Sequence, residues 1–196
     1  MKQLEFEKTI KKFHKIEDAR DQLWDRAKVL IEKGFEIEAY ILILATWNFA
    51  GFRYVMKNFD LYEFGVVIKK INPIFKRLED NKFESIDFNN KSLISDIKEI
   101  YTQLKKIAKQ TGATKLMALK NSKLFVMWDT EIRKIYGIDN RSEADDYIQF
   151  LIKMKNNFLN IKWNNKIKPL AKVIDEYNYV IADKNREVRK IKSKQE

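Results

Sequence analysis

A chain of 196 residues with 45% hydrophobic residues, including 13 Phe, 8 Tyr and 4 Trp, can bury a sizeable core, which excludes a disordered chain. The absence of cysteine excludes disulfides and thiolate chemistry, and a single histidine, His14, excludes His-based zinc sites and Ser-His-Asp triads, so no metal site is expected. A formal net charge of +11 favours a polyanionic partner, nucleic acid or an anionic membrane surface. The most apolar run, Ala39 to Trp47, is nine residues long, well short of the about 20 that span a bilayer, so a membrane partner is not expected. With no secretory signal segment to read, the expected location is the cytoplasm.

Five Gly and two Pro leave few breakers, and the periodic stretches predict an all-α fold. An amphipathic helix is expected over Leu4 to Glu32, with Gly34 as its stop signal. Ile37 to Met56 is apolar on nearly every side and predicts a central buried helix. A helix from Leu61, disturbed at Asn72-Pro73, ends near Leu78 before a polar loop that runs through Asn90. Asn90 or Ser92 caps a helix from Leu93 to Gln110, Gly112 makes a turn, and a short helix Thr114 to Lys120 follows. Asp129 or Thr130 opens another short helix that stops at Gly137, and Ser142 with Asp145 forms a capping box for a helix to Phe158. After Asn160 to Asn165 a last helix runs to Ile191, with a basic end from Lys184 to Lys194. The expected organisation is one compact multi-helix domain over 1–196, in one or two lobes, with no internal repeat or linker.

The charge is clustered. Ile100 to Trp128 holds no carboxylate and six lysines and is closed by Asp129; Tyr147 to Ile174 again holds six lysines and no acid. The rest of the chain is then close to neutral, which favours a binding face over a merely solvated surface.

The order of helix, Gly-containing turn, short Lys-bearing helix, apolar loop and Asp at a helix start lies in Lys105 to Gly137, with Leu116-Met-Ala-Leu119 and Asp129-Thr-Glu-Ile-Arg133 at its end. This arrangement resembles the helix-hairpin-helix DNA glycosylase superfamily, nearest to its 8-oxoguanine glycosylase and lyase branch. The resemblance implies a hairpin-like DNA-binding element, duplex damaged DNA as partner, and excision of an oxidised purine with abasic-site lyase activity. It also implies a lysine nucleophile near the hairpin and an aspartate at the following helix start. The family hairpin carries two glycines after a proline; here Gly112 stands alone. Aligning on Gly112 puts the nucleophile at Lys115, and counting back from Asp129 puts it at Lys109. Lys105, Lys106, Gly112, Lys120, Lys123 and Arg133 would hold phosphates, and Trp47, Phe49, Phe52 and Trp128 would wall the pocket of an extruded base. Schiff-base chemistry needs no metal or cofactor.

The same residues have plainer readings. Asp129 is an N-cap by type and position, a role compatible with the first. Lysines in such tracts are solvated or touch phosphates. Trp128 beside Met127 suits a core, Asn48 inside an apolar helix needs a partner, Arg53 reads as a surface or phosphate contact, and His14 among lysines reads as exposed and inert. A non-catalytic helical nucleic-acid-binding protein is therefore the alternative function, and a scaffold that meets an acidic protein is a third.

Overall fold

The computed structural model describes residues 1–57, 59–138, 143–164 and 168–192; among them are eight helices and no strand. The all-α expectation holds. Helix α1 (Gln3–Glu32) buries Phe6, Ile10, Phe13, Trp24 and Ala27 along one stripe. It stops where Gly34 takes φ 87° and Phe35 N donates to Leu30 O at 2.9 Å, as the glycine signal predicts. Inside it, Glu17 leaves helical geometry (φ −126°, ψ 18°), although no Gly or Pro lies nearby.

The expected single helix from Ile37 to Met56 is two. Helix α2 (Glu36–Trp47) and α3 (Phe49–Lys57) are broken at Asn48, whose φ of −138° leaves the helix. Helix α4 (Leu61–Arg77) starts on Asp60, whose side chain accepts from Tyr62 N and Glu63 N, and it continues through Pro73 where a disturbance was expected. Helix α5 (Lys91–Lys120) starts on Asn90, one of the two predicted caps. Its internal break is not at Gly112. Lys109 makes it, at φ 57° and ψ 176°, a conformation that favours glycine, while Gly112 lies buried in the helical second half. A Cβ there would sit 2.9 Å from Leu44 Cδ2 and 2.9 Å from Ala108 Cβ, so the glycine serves close packing against α2.

Helix α6 (Thr130–Ile135) is capped by Asp129 and ends before Gly137 at φ 61°. Helix α7 (Ala144–Phe158) opens with a capping box of Glu143 and Asp146, one residue beyond the predicted pair; the predicted Ser142 lies outside the described residues. Helix α8 (Leu170–Lys192) follows Pro169, whose carbonyl accepts from Val173 N at 3.2 Å. The end of the basic run, 193–196, lies outside the described residues.

Helix α8 is buried on every side from Leu170 to Asn178. Buried side chains form one contiguous cluster from Phe6 in α1 to Ala182 in α8. No helix among the described residues is long and apolar enough to cross a membrane.

Candidate functional site

The segment from Leu124 to Trp128 is apolar and extended, yet it has no strand partner among the described residues. It lies wholly buried, so its backbone polar groups need partners within the protein: Leu124 N and Phe125 N donate to Asn121 O at 3.2 Å, and side chains serve three further groups. Tyr147 OH donates to Val126 O at 2.9 Å, Met127 N donates to Asp175 Oδ1, and Trp128 N donates to Thr114 Oγ1 at 3.3 Å. Three helices, α7, α8 and α5, thus pin the loop and deliver Asp129 to the start of α6. There Asp129 Oδ1 accepts from Ile132 N at 2.8 Å and keeps a half-buried carboxylate at a helix N-terminus, where the helix dipole favours its charge.

This path closes a cavity of about 220 Å³. Lys115 enters it from the second half of α5, Asp129 from the cap of α6, and Asp175 and Tyr179 from successive turns of α8; Trp47, Met127, Trp128 and Ile132 complete the wall. The volume is below the roughly 300–1,000 Å³ typical of drug-sized ligands and suits a fragment such as a single base. Lys115 Nζ donates to the carbonyl of Trp47, the last residue of α2. A lysine from the middle of the acid-free tract and the aspartate that closes it therefore share one hollow with an indole.

Asp175 was not singled out in the sequence. It is 4% exposed, and its Oδ2 is buried without a hydrogen-bond partner. Burial pushes its carboxyl well above the usual carboxylate range, with Glu176 adding to the effect and Lys172, the Met127 N–H and Lys115 opposing it. This carboxyl faces the same cavity as Lys115 and Asp129. Tyr179, also missed, donates its OH to Glu17 at the kink of α1. Neither carries a signal in the sequence, because Lys172, Asp175, Glu176 and Asn178 read as a solvated helix face and the structure buries all four.

Trp47 is held from behind. Lys172 Nζ lies 4.7 Å from its ring centroid and 4.6 Å from that of Trp24. Asp21 and Glu176 each approach Lys172 to 3.6 Å, and Lys168 bonds both carboxylates at 2.7 Å. His14, read as inert, lies 3.5 Å from Glu176 and 3.9 Å from Asp21. Burial alone would raise Asp21, but Lys172, Lys168 and His14 outweigh it and hold the carboxyl below its usual range.

The other predicted site residues scatter. Lys109 stands outside the small cavity, in an adjoining hollow of about 370 Å³ that it lines with Asn48, Tyr54 and Thr130 and that shares Asp129. Its amine lies 5.8 Å from the Tyr54 ring. Asn48, expected to need a partner inside a buried helix, sits instead at the break, next to Gly51 and Gly112. Phe49 is exposed on α3 and Phe52 packs half-buried against the core; neither lines the small cavity. Trp128 borders it, but its ring is fully buried among Tyr101, Tyr147 and Phe150, with Nε1 donating to Gln110 O at 3.2 Å.

Arg133 corrects a prediction. At 4% exposure it stacks on Trp128 at 5.4 Å, so it is a core residue and not a surface phosphate contact. Lys105 pairs with Glu143 at 3.0 Å and Lys120 with Glu36 at 2.8 Å; Lys106 bonds Gln103, and Lys123 is exposed at the end of α5. Arg53 is exposed on α3, in keeping with its surface reading.

The fold and the cavity define an all-helical protein with an amine and two carboxyls around a base-sized hollow. No protein-family model, curated protein or solved structure matches the chain.

Proposed function

We propose that the chain is a DNA-repair glycosylase with abasic-site lyase activity on an oxidised purine, with Lys115 as the Schiff-base nucleophile. The observation that carries this reading is the convergence of Lys115 and Asp129 on one base-sized cavity walled by Trp47. An extruded base enters that cavity against the indole. Lys115 Nζ forms a bond to the sugar C1′ as the bond from C1′ to the base nitrogen breaks; the electron pair leaves with the base, which takes up a proton. Cleavage of the C1′–O4′ bond, with O4′ taking up a proton and the amine giving one up, opens the sugar ring and gives a protonated imine. Removal of a C2′ proton then expels the 3′-phosphate and cuts the strand, and water later releases the lysine. The Asp129 carboxylate stabilises the cationic sugar and exchanges protons with the amine. Asp175, whose carboxyl burial raises above the usual range, is assigned to the base. Lys109, in the adjoining hollow, is assigned to the approaching strand and not to the chemistry.

The test uses duplexes that carry 8-oxoguanine or an abasic site. The wild-type chain cuts the lesion strand of each duplex, whereas Lys115→Gln and Asp129→Asn bind the duplexes and cut neither, and Lys109→Gln still cuts. Salt-sensitive binding without any cleavage by the wild type overturns the enzymatic reading and leaves a helical DNA-binding protein.

A further inference from the structure

Lys120 and Lys123, at the far end of the acid-free tract, take no part in the cavity just described. They border a separate hollow of about 500 Å³, between the ends of α4 and α5 and the side of α1, together with Lys28 and Lys76. Its volume falls inside the roughly 300–1,000 Å³ of small-molecule sites. Four lysines face a single carboxylate, Glu79. Lys120 is paired with Glu36 at 2.8 Å, but Lys28, Lys76 and Lys123 have no carboxylate within ion-pair distance among the described residues. Lys98 and Lys105, on the outer face of the same helix α5, each hold one. Like charges gathered round a concavity repel one another, and a bound polyanion relieves that repulsion. A second observation points the same way. Asn72, on the wall, donates Nδ2–H to Glu36 at 2.9 Å and leaves its Oδ1 buried without a donor, so the protein alone does not satisfy this wall.

We propose that this hollow is an anion site for a compact phosphate-rich group, either the polyphosphate of a free nucleotide or the phosphorylated end of a nucleic-acid strand. The site is independent of the Lys115 reading. A groove between α1 and α8 is also lined by lysines, and Lys8 and Lys12 there, exposed like Lys76 and Lys123, are a control for charge alone.

Calorimetric titration of the full chain with inorganic tripolyphosphate at low salt tests the proposal. One equivalent binds, and Lys28→Gln/Lys123→Gln weakens binding about fivefold or more, while Lys8→Gln/Lys12→Gln leaves it unchanged. If tripolyphosphate does not bind, but a 5′-phosphorylated duplex binds more tightly than its 5′-hydroxyl form and the first double variant alone abolishes that preference, the anion is a strand end. Equal losses in both double variants, or neither tripolyphosphate binding nor a 5′-phosphate preference, overturn the site. The substituted lysines lie on the surface or half-buried, and circular dichroism of each variant confirms the fold.

Discussion

Lys115 and Lys109 belong to one helix and meet different surroundings. Lys115 is half-buried against the Trp47 carbonyl in the small cavity, whereas Lys109 lies over an exposed tyrosine in the wider hollow. Both hollows share Asp129; counting from Gly112 points to Lys115 and counting back from Asp129 points to Lys109. Asp175 carries a sharper prediction. Its carboxyl is raised by burial in the folded chain, so the unfolded chain ionises first and wild-type stability falls as pH rises above the ordinary value of 3.8. Asp175→Asn keeps an acceptor for Met127 N–H and cannot ionise. Thermal melts are therefore expected to show it matching wild type near pH 4 and exceeding it near pH 8; a constant difference across that range contradicts the assignment. Because Asp175 is assigned to the base, the same variant is expected to slow release of 8-oxoguanine roughly ten- to hundredfold while sparing cleavage at a preformed abasic site.

At the scale of elements, α5 decides the site geometry. Its break at Lys109 redirects the second half so that Lys115 faces α2 and α8, and the non-glycine residue at φ 57° stores strain of about 1–3 kcal/mol. Lys109→Gly is expected to raise the melting temperature, by a net gain of about 1 kcal/mol after the entropic cost of glycine. Gly112→Ala acts the other way. Alanine normally helps a helix by about 1 kcal/mol, but a methyl 2.9 Å from both Leu44 and Ala108 overpacks the contact at about 1–3 kcal/mol, so a loss is expected. Element starts and stops were legible at Gly34, Asn90, Asp129 and Gly137, which act as their residue types suggest, whereas Pro73 did not interrupt its helix and the cap of α7 fell on Glu143. The breaks at Glu17, Asn48 and Lys109 were not legible, because tertiary packing imposes them on residues with no breaker signature. Gly112 was noticed for the wrong reason: it is small, not flexible.

At the scale of the whole molecule, the centre is the charged half of α8 and not the apolar α2. Sequence hydropathy hides such a centre, since Lys172 and Glu176 read as solvated until Asp21 and Lys168 from elsewhere in the chain are brought beside them. The lowered Asp21 carboxyl contributes stability above its ordinary value of 3.8, and that contribution is lost as pH falls through the folded value. Asp21→Asn is expected to cost about 2 kcal/mol near pH 7, because it leaves the buried Lys172 with Glu176 alone, and the gap to wild type closes in acid. The proposed chemistry joins these scales: the amine, the two carboxyls and the indole reach one cavity from α2, α5, α6 and α8, a convergence that Lys115, Asp129, Trp47 and Trp128 foreshadowed and Asp175 and Tyr179 did not. The most direct measurement is borohydride reduction of the full chain with an abasic duplex, followed by peptide mapping of the covalent adduct. The adduct is expected on the peptide that carries Lys115 and to vanish in Lys115→Gln. An adduct on Lys109, or none, contradicts the account.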